Sequence, residues 1–168
     1  MFTLFSVLRF LHIVAGICWG GGAILMNFFI GPAIGATGDT GRQFAGHLMG
    51  KTSFSRFMMF TGLITVLAGS YLYGVNSNWF SSAWMRTGQG IGFGIGATAG
   101  IIALVFGYFI GNTNGAMAAL GAQIQGKPTD AQMSAMQALR KQASIVTVGN
   151  TICIVISISF MALARLMG

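Results

Sequence analysis

The chain has 168 residues, of which 54% are hydrophobic and only 7% are charged. Because a soluble domain carries about a quarter charged residues, this composition cannot cover a water-facing surface and indicates an integral membrane protein. Nine Lys and Arg residues stand against two acidic residues, which gives a net charge of +7. On a membrane protein such an excess sets the orientation and attracts lipid headgroups. Without a basic patch interleaved with aromatic residues, it does not indicate nucleic-acid binding.

Four apolar segments occupy almost the whole length and predict membrane-spanning helices at about 4–34, 54–73, 90–110 and 143–166. No soluble domain fits between them, so residues 1–168 are expected to form a single domain. The first segment lacks the basic start of a signal peptide and exceeds its length, so we expect a retained helix. The predicted fold is all-α: a four-helix membrane bundle with short amphipathic helical extensions on one side.

Polar segments between the spans carry further helix signals. Thr40 or Asp39 can cap a short helix before the second span, and Thr129 with Asp130 can cap the fourth helix. The third helix can continue through "NTNGAMAALGAQIQ" until "GKPTD" ends it. Its first part, 90–100, contains five glycines, which a membrane helix tolerates because close packing offsets the missing side chains.

The distribution of cations predicts the orientation. The side with segments 35–56 and 112–142 holds Arg42, Lys51, Arg56, Lys127, Arg140 and Lys141, and the opposite side holds Arg9, Arg86 and Arg165. Cytoplasmic loops carry the excess of Lys and Arg. We therefore expect both termini outside the cytoplasm, in a membrane of the bacterial inner-membrane kind.

Ionisable residues within the membrane are the first candidates for function. The predicted spans contain no Asp, Glu or Lys, and Arg9, Arg56 and Arg165 lie close enough to helix ends to reach the interface. A proton-coupled transporter, which needs a buried carboxylate, is therefore disfavoured. Hydrolysis is disfavoured too, because two histidines and two aspartates provide no nucleophile with its base and acid. Only His12 remains.

His12 belongs to a stripe of residues that share one face of the first helix. The stripe is His12, Gly16, Trp19, Gly20, Ala23 and Asn27. It combines a nitrogen ligand, an indole and small residues beside which a flat group can lie, so it is a candidate haem site with His12 as the iron ligand. The alternative is helix packing, in which small residues allow close contact and His12 hydrogen-bonds a neighbouring helix.

Other polar residues allow further interpretations. His47 and Met49 can contribute to a soft copper site together with Met117, Met133 or Met136. The alternative is that these methionines fill the apolar face of helices at the membrane surface. Asn27 and Asn150 are expected to donate hydrogen bonds between helices, with contact to a quinone or a haem propionate as a further role.

The pattern Leu11, His12, Trp19, Gly21 and Gly22 resembles the first span of the copper-resistance protein D-like group of bacterial four-helix membrane proteins, and the ending "MALARLM" is similar to theirs. More distantly, the His-plus-Trp span resembles HemJ-type protoporphyrinogen oxidases, four-helix proteins associated with haem b. The resemblance implies that His12 is a metal or haem ligand and that Trp19, Gly21 and Gly22 shape the adjacent pocket. The chain departs from the HemJ pattern because its spans hold no second histidine and no lysine.

Three functions are therefore hypotheses for this chain. The first is a haem-b-associated membrane protein of redox or electron-transfer type with His12 as ligand. The second is a helix-packing subunit of a larger membrane complex or a homo-oligomer, which rests on the glycine-rich faces. The third is a copper-handling membrane protein, as the first resemblance implies.

Overall fold

The computed structural model describes residues 3–124 and 126–167, and these residues are almost entirely helical. Four helices in them are long and apolar enough to cross a membrane. The predicted all-α membrane bundle is therefore confirmed, and the chain is an integral membrane protein. In chain order the helices are α1 (Leu4–Leu25), a π-helical segment (Met26–Ile30), α2 (Gly31–Ala36), α3 (Gly38–Gly50), α4 (Phe54–Asn76), α5 (Ser82–Met85), α6 (Gly88–Gln123) and α7 (Asp130–Leu163), which ends in a 3₁₀ turn (Ala164–Leu166).

Each predicted span lies within one continuous helical stretch: the first within Leu4–Ala36, which joins α1, the π-helical segment and α2, the second within α4, the third within α6, and the fourth within Asp130–Leu166, which joins α7 and its 3₁₀ turn. α6 continues through the polar segment to Gln123, as predicted. α7 begins at Asp130 behind a capping box, in which the Thr129 hydroxyl accepts from the Gln132 N–H at 3.2 Å and the Gln132 amide oxygen accepts from the Thr129 N–H at 3.0 Å. The predicted cap of α7 is thus confirmed.

The predicted cap of α3 is wrong. α3 begins at Gly38, before both Asp39 and Thr40, and its first turn has no side-chain cap. Gly38 separates α2 from α3 because its φ of +58° lies in the left-handed region that glycine adopts without strain. The preceding Thr37 hydroxyl donates back to the Ala33 carbonyl at 2.7 Å and so closes α2 instead of opening α3.

The bundle consists of two helical hairpins. α1 packs against α4, α6 packs against α7, and contacts between α4 and α6 join the hairpins. Trp19, Ala23, Ala103 and Ile154 form the buried core between them. Large apolar side chains elsewhere point outward, including Ile17, Phe60 and Leu67, each at least 66% exposed. Such surfaces suit lipid and not water.

The glycines at the start of α6 allow α7 to approach closely. A Cβ placed on Gly92 would lie 3.0 Å from the Ala164 Cβ, and one on Gly96 would lie 3.3 Å from the Ser157 carbonyl oxygen. The Ser157 hydroxyl donates to the Gly96 carbonyl at 2.8 Å. Close contact and an interhelical hydrogen bond replace the missing side chains, as the glycine run predicts.

Candidate functional site

His12 is held by a hydrogen bond to a neighbouring helix. Its Nδ1 lies 2.7 Å from the carbonyl oxygen of Thr65 in α4. A carbonyl oxygen can only accept, so Nδ1 carries the proton and the lone pair of a neutral ring is on Nε2. Metal-binding histidines are commonly oriented in this way, with one ring N–H bound to a backbone carbonyl and the other nitrogen free for the metal.

Gly69, one turn after Thr65, provides the space for the imidazole ring. A Cβ on Gly69 would lie 2.7 Å from Cε1 and 2.8 Å from Nδ1 of His12, but 3.7 Å from Nε2. The Nδ1–Cε1 edge of the ring therefore rests on α4. No hydrogen bond to Nε2 occurs within residues 3–124 and 126–167, and these residues contain no inaccessible side-chain nitrogen or oxygen without a partner. Nε2 is consequently open.

The space beside His12 is a cavity of about 350 Å³, which we call the His12 cavity. It lies at the end of the bundle where α1 and α6 begin and where α4 and α7 end. Its walls include His12, Arg9, Tyr73, Trp84, Met161 and Arg165. The Tyr73 and Trp84 rings meet edge to face with centroids 5.4 Å apart. The cavity thus combines a free imidazole nitrogen, a thioether, aromatic walls and two guanidinium groups.

A second cavity of about 440 Å³ lies toward the opposite end of the bundle, and we call it the asparagine cavity. Its walls include Trp19, Asn27, Met58, Leu104, Asn114 and Asn150. Asn27 donates through Nδ2 to the Thr151 hydroxyl, and Asn150 donates through Nδ2 to the Ala103 carbonyl at 2.7 Å. Both asparagines were predicted to donate between helices, and both predictions are confirmed.

The predicted stripe is divided between the two cavities. His12 lines the first, whereas Trp19 and Asn27 line the second. Gly16 and Gly20 line neither cavity: a Cβ on Gly16 would lie 3.5 Å from Thr65 Cγ2, and one on Gly20 would lie 3.1 Å from the Ile158 side chain. The two glycines are therefore packing positions, while His12 is the stripe residue with an open ligand atom.

Among the residues that share the cavity of His12 but lie outside the stripe are Arg9, Met161 and Arg165. Arg9 lies one helical turn before His12, so helical spacing alone could have placed it on the same face. Met161 and Arg165 come from the end of the chain, and no feature of the first helix indicates them. Both arginines were interpreted only as residues that reach the membrane interface.

The residues of the copper hypothesis lie on three helices. His47 and Met49 belong to α3, Met117 belongs to α6, and Met133 and Met136 belong to α7. Among the residues that the structure describes, α3 contacts α4 and α6 but not α7. His47 is exposed, and Met49 lines the asparagine cavity. The methionines of α7 therefore lie apart from His47 and Met49.

Groups of three or more His, Cys, Asp and Glu side chains that could hold a metal ion are absent from the described ranges. A closed metal site made of these residue types has no candidate there. A single histidine with a free nitrogen is instead suited to a cofactor that brings its own equatorial ligands, as haem does.

Comparisons of the chain with protein-family models, with curated proteins and with solved structures give no match.

Proposed function

We propose that the chain is a haem-b-associated membrane protein of redox or electron-transfer type, with His12 as a ligand of the iron. The observation that carries this proposal is the hydrogen bond from His12 Nδ1 to the Thr65 carbonyl at 2.7 Å, which leaves Nε2 free beside a cavity. The bond also fixes the orientation of the ring and holds the proton on Nδ1. A bound haem b would supply one-electron redox chemistry.

The other residues of the His12 cavity fit this group. Arg9 and Arg165 can pair with the two propionates, because guanidinium groups bind carboxylates with two parallel hydrogen bonds. Trp84 and Phe93 offer aromatic surfaces to the macrocycle. Met161 is the thioether in the same cavity and would be able to hold the iron together with His12.

Other residues hold the His12 ring in place or form the walls of the cavity. The Thr65 carbonyl fixes the tautomer and orientation of His12, and Gly69 leaves room for the ring. Leu72 and Ile13 contribute apolar walls that restrict the access of water. The cavity lies at the end of the bundle that carries fewer cations, so the proposed orientation places it toward the outer face of the bacterial inner membrane.

An absorption spectrum of the protein purified in mild detergent tests the proposal. We expect a Soret band in the native chain, its loss in His12→Ala and its retention in His47→Ala, the matched control because His47 is exposed on α3. Replacing Met161 by Ala should alter the spectrum without removing the haem. Replacing Arg9 and Arg165 by Gln should weaken haem retention.

Two results would overturn the proposal: a Soret band of full intensity in His12→Ala, or a native chain that stays colourless after incubation with haem. A colourless chain that purifies with stoichiometric partners would support the packing-subunit hypothesis. Tight Cu(I) binding that depends on His47 and Met49 would support copper handling.

A further inference from the structure

The asparagine cavity lies between the helices and is partly open, since Pro32, Ser55 and Gly111 in its wall are exposed. Residues of all four long helices line it, and Ala45 and Met49 of α3 contribute to its wall at one end. Its volume of about 440 Å³ falls within the range of small-molecule binding sites. None of its lining residues lines the His12 cavity, so binding in the asparagine cavity does not depend on a haem at His12.

Asn150 brings an unused hydrogen-bond acceptor into this cavity. The side chain is 3% exposed, and Nδ2 donates to the Ala103 carbonyl at 2.7 Å. Since that carbonyl can only accept, the atom facing it is the nitrogen and the other is Oδ1. Oδ1 accepts no hydrogen bond from the described part of the chain, where every inaccessible polar side-chain atom has a partner. Oδ1 is therefore accessible from the cavity that Asn150 lines.

Asn27 repeats this arrangement on the facing helix. Its Nδ2 donates to the hydroxyl of Thr151, and that hydroxyl in turn donates to the Thr147 carbonyl at 2.9 Å. The Thr151 hydroxyl thus accepts from Asn27, so the amide atom of Asn27 that faces it is the nitrogen. Oδ1 of Asn27 has no hydrogen-bond partner in residues 3–124 and 126–167. Asn27 lies in the π-helical segment, an irregularity that often occurs at functional sites.

The rest of the cavity determines what kind of molecule can supply the missing donors. Its lining contains no Asp, Glu, Lys, Arg or His, so the ligand is neutral. Trp19, Met58 and Leu104 make the walls apolar. Gly107 and Gly111 leave open space, since a Cβ on either glycine would meet nothing within 4 Å. An acyl chain would fill this space but would leave both amide oxygens without a donor, which is costly inside a membrane.

We propose that the asparagine cavity binds a quinol, a flat apolar aromatic ring whose two hydroxyl groups donate hydrogen bonds to the amide oxygens of Asn27 and Asn150. A quinol is neutral, dissolves in the membrane and carries one donor for Oδ1 of Asn27 and one for Oδ1 of Asn150. Asn114, the third asparagine of the wall, is less buried than Asn150. The oxidised quinone has the same shape but carries no donor. The site therefore selects the reduced form.

Calorimetric titration of the full chain in detergent, without oxygen, tests this assignment with tetramethylhydroquinone as the probe. We expect the quinol to bind about tenfold more tightly than tetramethylbenzoquinone and the dimethyl ether of the quinol, because only the quinol donates. Gly111→Leu should fill the cavity and abolish binding. Gly115→Leu, one turn later on α6, is the matched control, because Gly115 lines neither cavity and its Cβ would meet nothing within 4 Å.

Equal affinity for the quinol and its dimethyl ether would overturn the proposal, since it would show that the amide oxygens receive no hydrogen bond. Unchanged binding in Gly111→Leu would place the probe elsewhere and would also overturn it. Asn150→Leu should weaken the preference for the quinol, because the amide oxygen of Asn27 remains as the second acceptor. If that variant fails to fold, because Asn150 also joins α7 to α6, the Gly111→Leu and Gly115→Leu pair still decides the question.

Discussion

Gly69→Ala is expected to displace the imidazole of His12. The added Cβ would lie 2.7 Å from Cε1 and 2.8 Å from Nδ1, whereas ordinary contacts begin at 3.4 Å. The neighbouring atoms belong to a ring that the Thr65 carbonyl holds by a 2.7 Å hydrogen bond. The ring must therefore retreat from α4 by several tenths of an ångström, and the hydrogen bond must lengthen or break.

The expected loss of stability is the sum of three contributions. Overpacking of a tight contact costs about 1–3 kcal/mol, and loss of an interhelical hydrogen bond in a membrane protein costs about 0.6 kcal/mol. The alanine itself offsets about 1 kcal/mol of this loss in the free energy of unfolding, because alanine favours the helix more than glycine does. We expect Gly69→Ala to lower the free energy of unfolding by about 0.6–2.6 kcal/mol. In a His12→Ala background the contact is absent, so the same change should be neutral or stabilising.

A double-mutant cycle measured by unfolding in mixed detergent micelles tests this reasoning. The native chain, the two single variants and the double variant should give a coupling free energy of about 1.6–3.6 kcal/mol between His12 and Gly69, because the overpacking and the hydrogen-bond contributions both require the imidazole. Gly16→Ala is the control, because its Cβ would meet Thr65 Cγ2 at an ordinary 3.5 Å. If the two single effects simply add, His12 does not rest against Gly69, and the orientation assigned to its Nε2 is wrong.

Three further changes test the packing of the bundle. Asn150→Leu removes the bond to the Ala103 carbonyl and should lower the free energy of unfolding in mixed micelles by about 0.6–1.7 kcal/mol; an unchanged value would contradict this role. Gly74→Ala places a Cβ 3.0 Å from the ring of Trp79, whose backbone φ of +54° leaves it little freedom to move. The free energy of unfolding should therefore fall by about 1–3 kcal/mol, which is measured as a lower melting temperature. Thr129→Ala removes the capping box of α7 and should cost about 1 kcal/mol, with faster amide exchange confined to the first turn.

The sequence alone was sufficient for the features that depend on local chemistry. The apolar segments located four helices because the lipid interior requires about 20 apolar residues per span. Thr129 capped α7 as predicted, since Gln132 at the third helical position completes the capping box. Asp39 and Thr40 have the same capping chemistry, but the left-handed φ of Gly38 starts α3 before them. A glycine in the left-handed region and a capping residue can each determine where a helix begins, and the pattern of side chains does not show which of them does so.

The candidate sites depend on contacts that one helix cannot specify. Helical spacing aligned His12 with Trp19 and Asn27 and therefore predicted one continuous site along α1. Trp19 is 7% exposed, and its indole lies against α4, where a Cβ on Gly62 would come within 3.1 Å of it. The indole thus belongs to the buried core between the helices and lines the asparagine cavity but not the His12 cavity. The space for it is provided by a glycine on another helix, 43 residues later in the chain, which no pattern within α1 indicates.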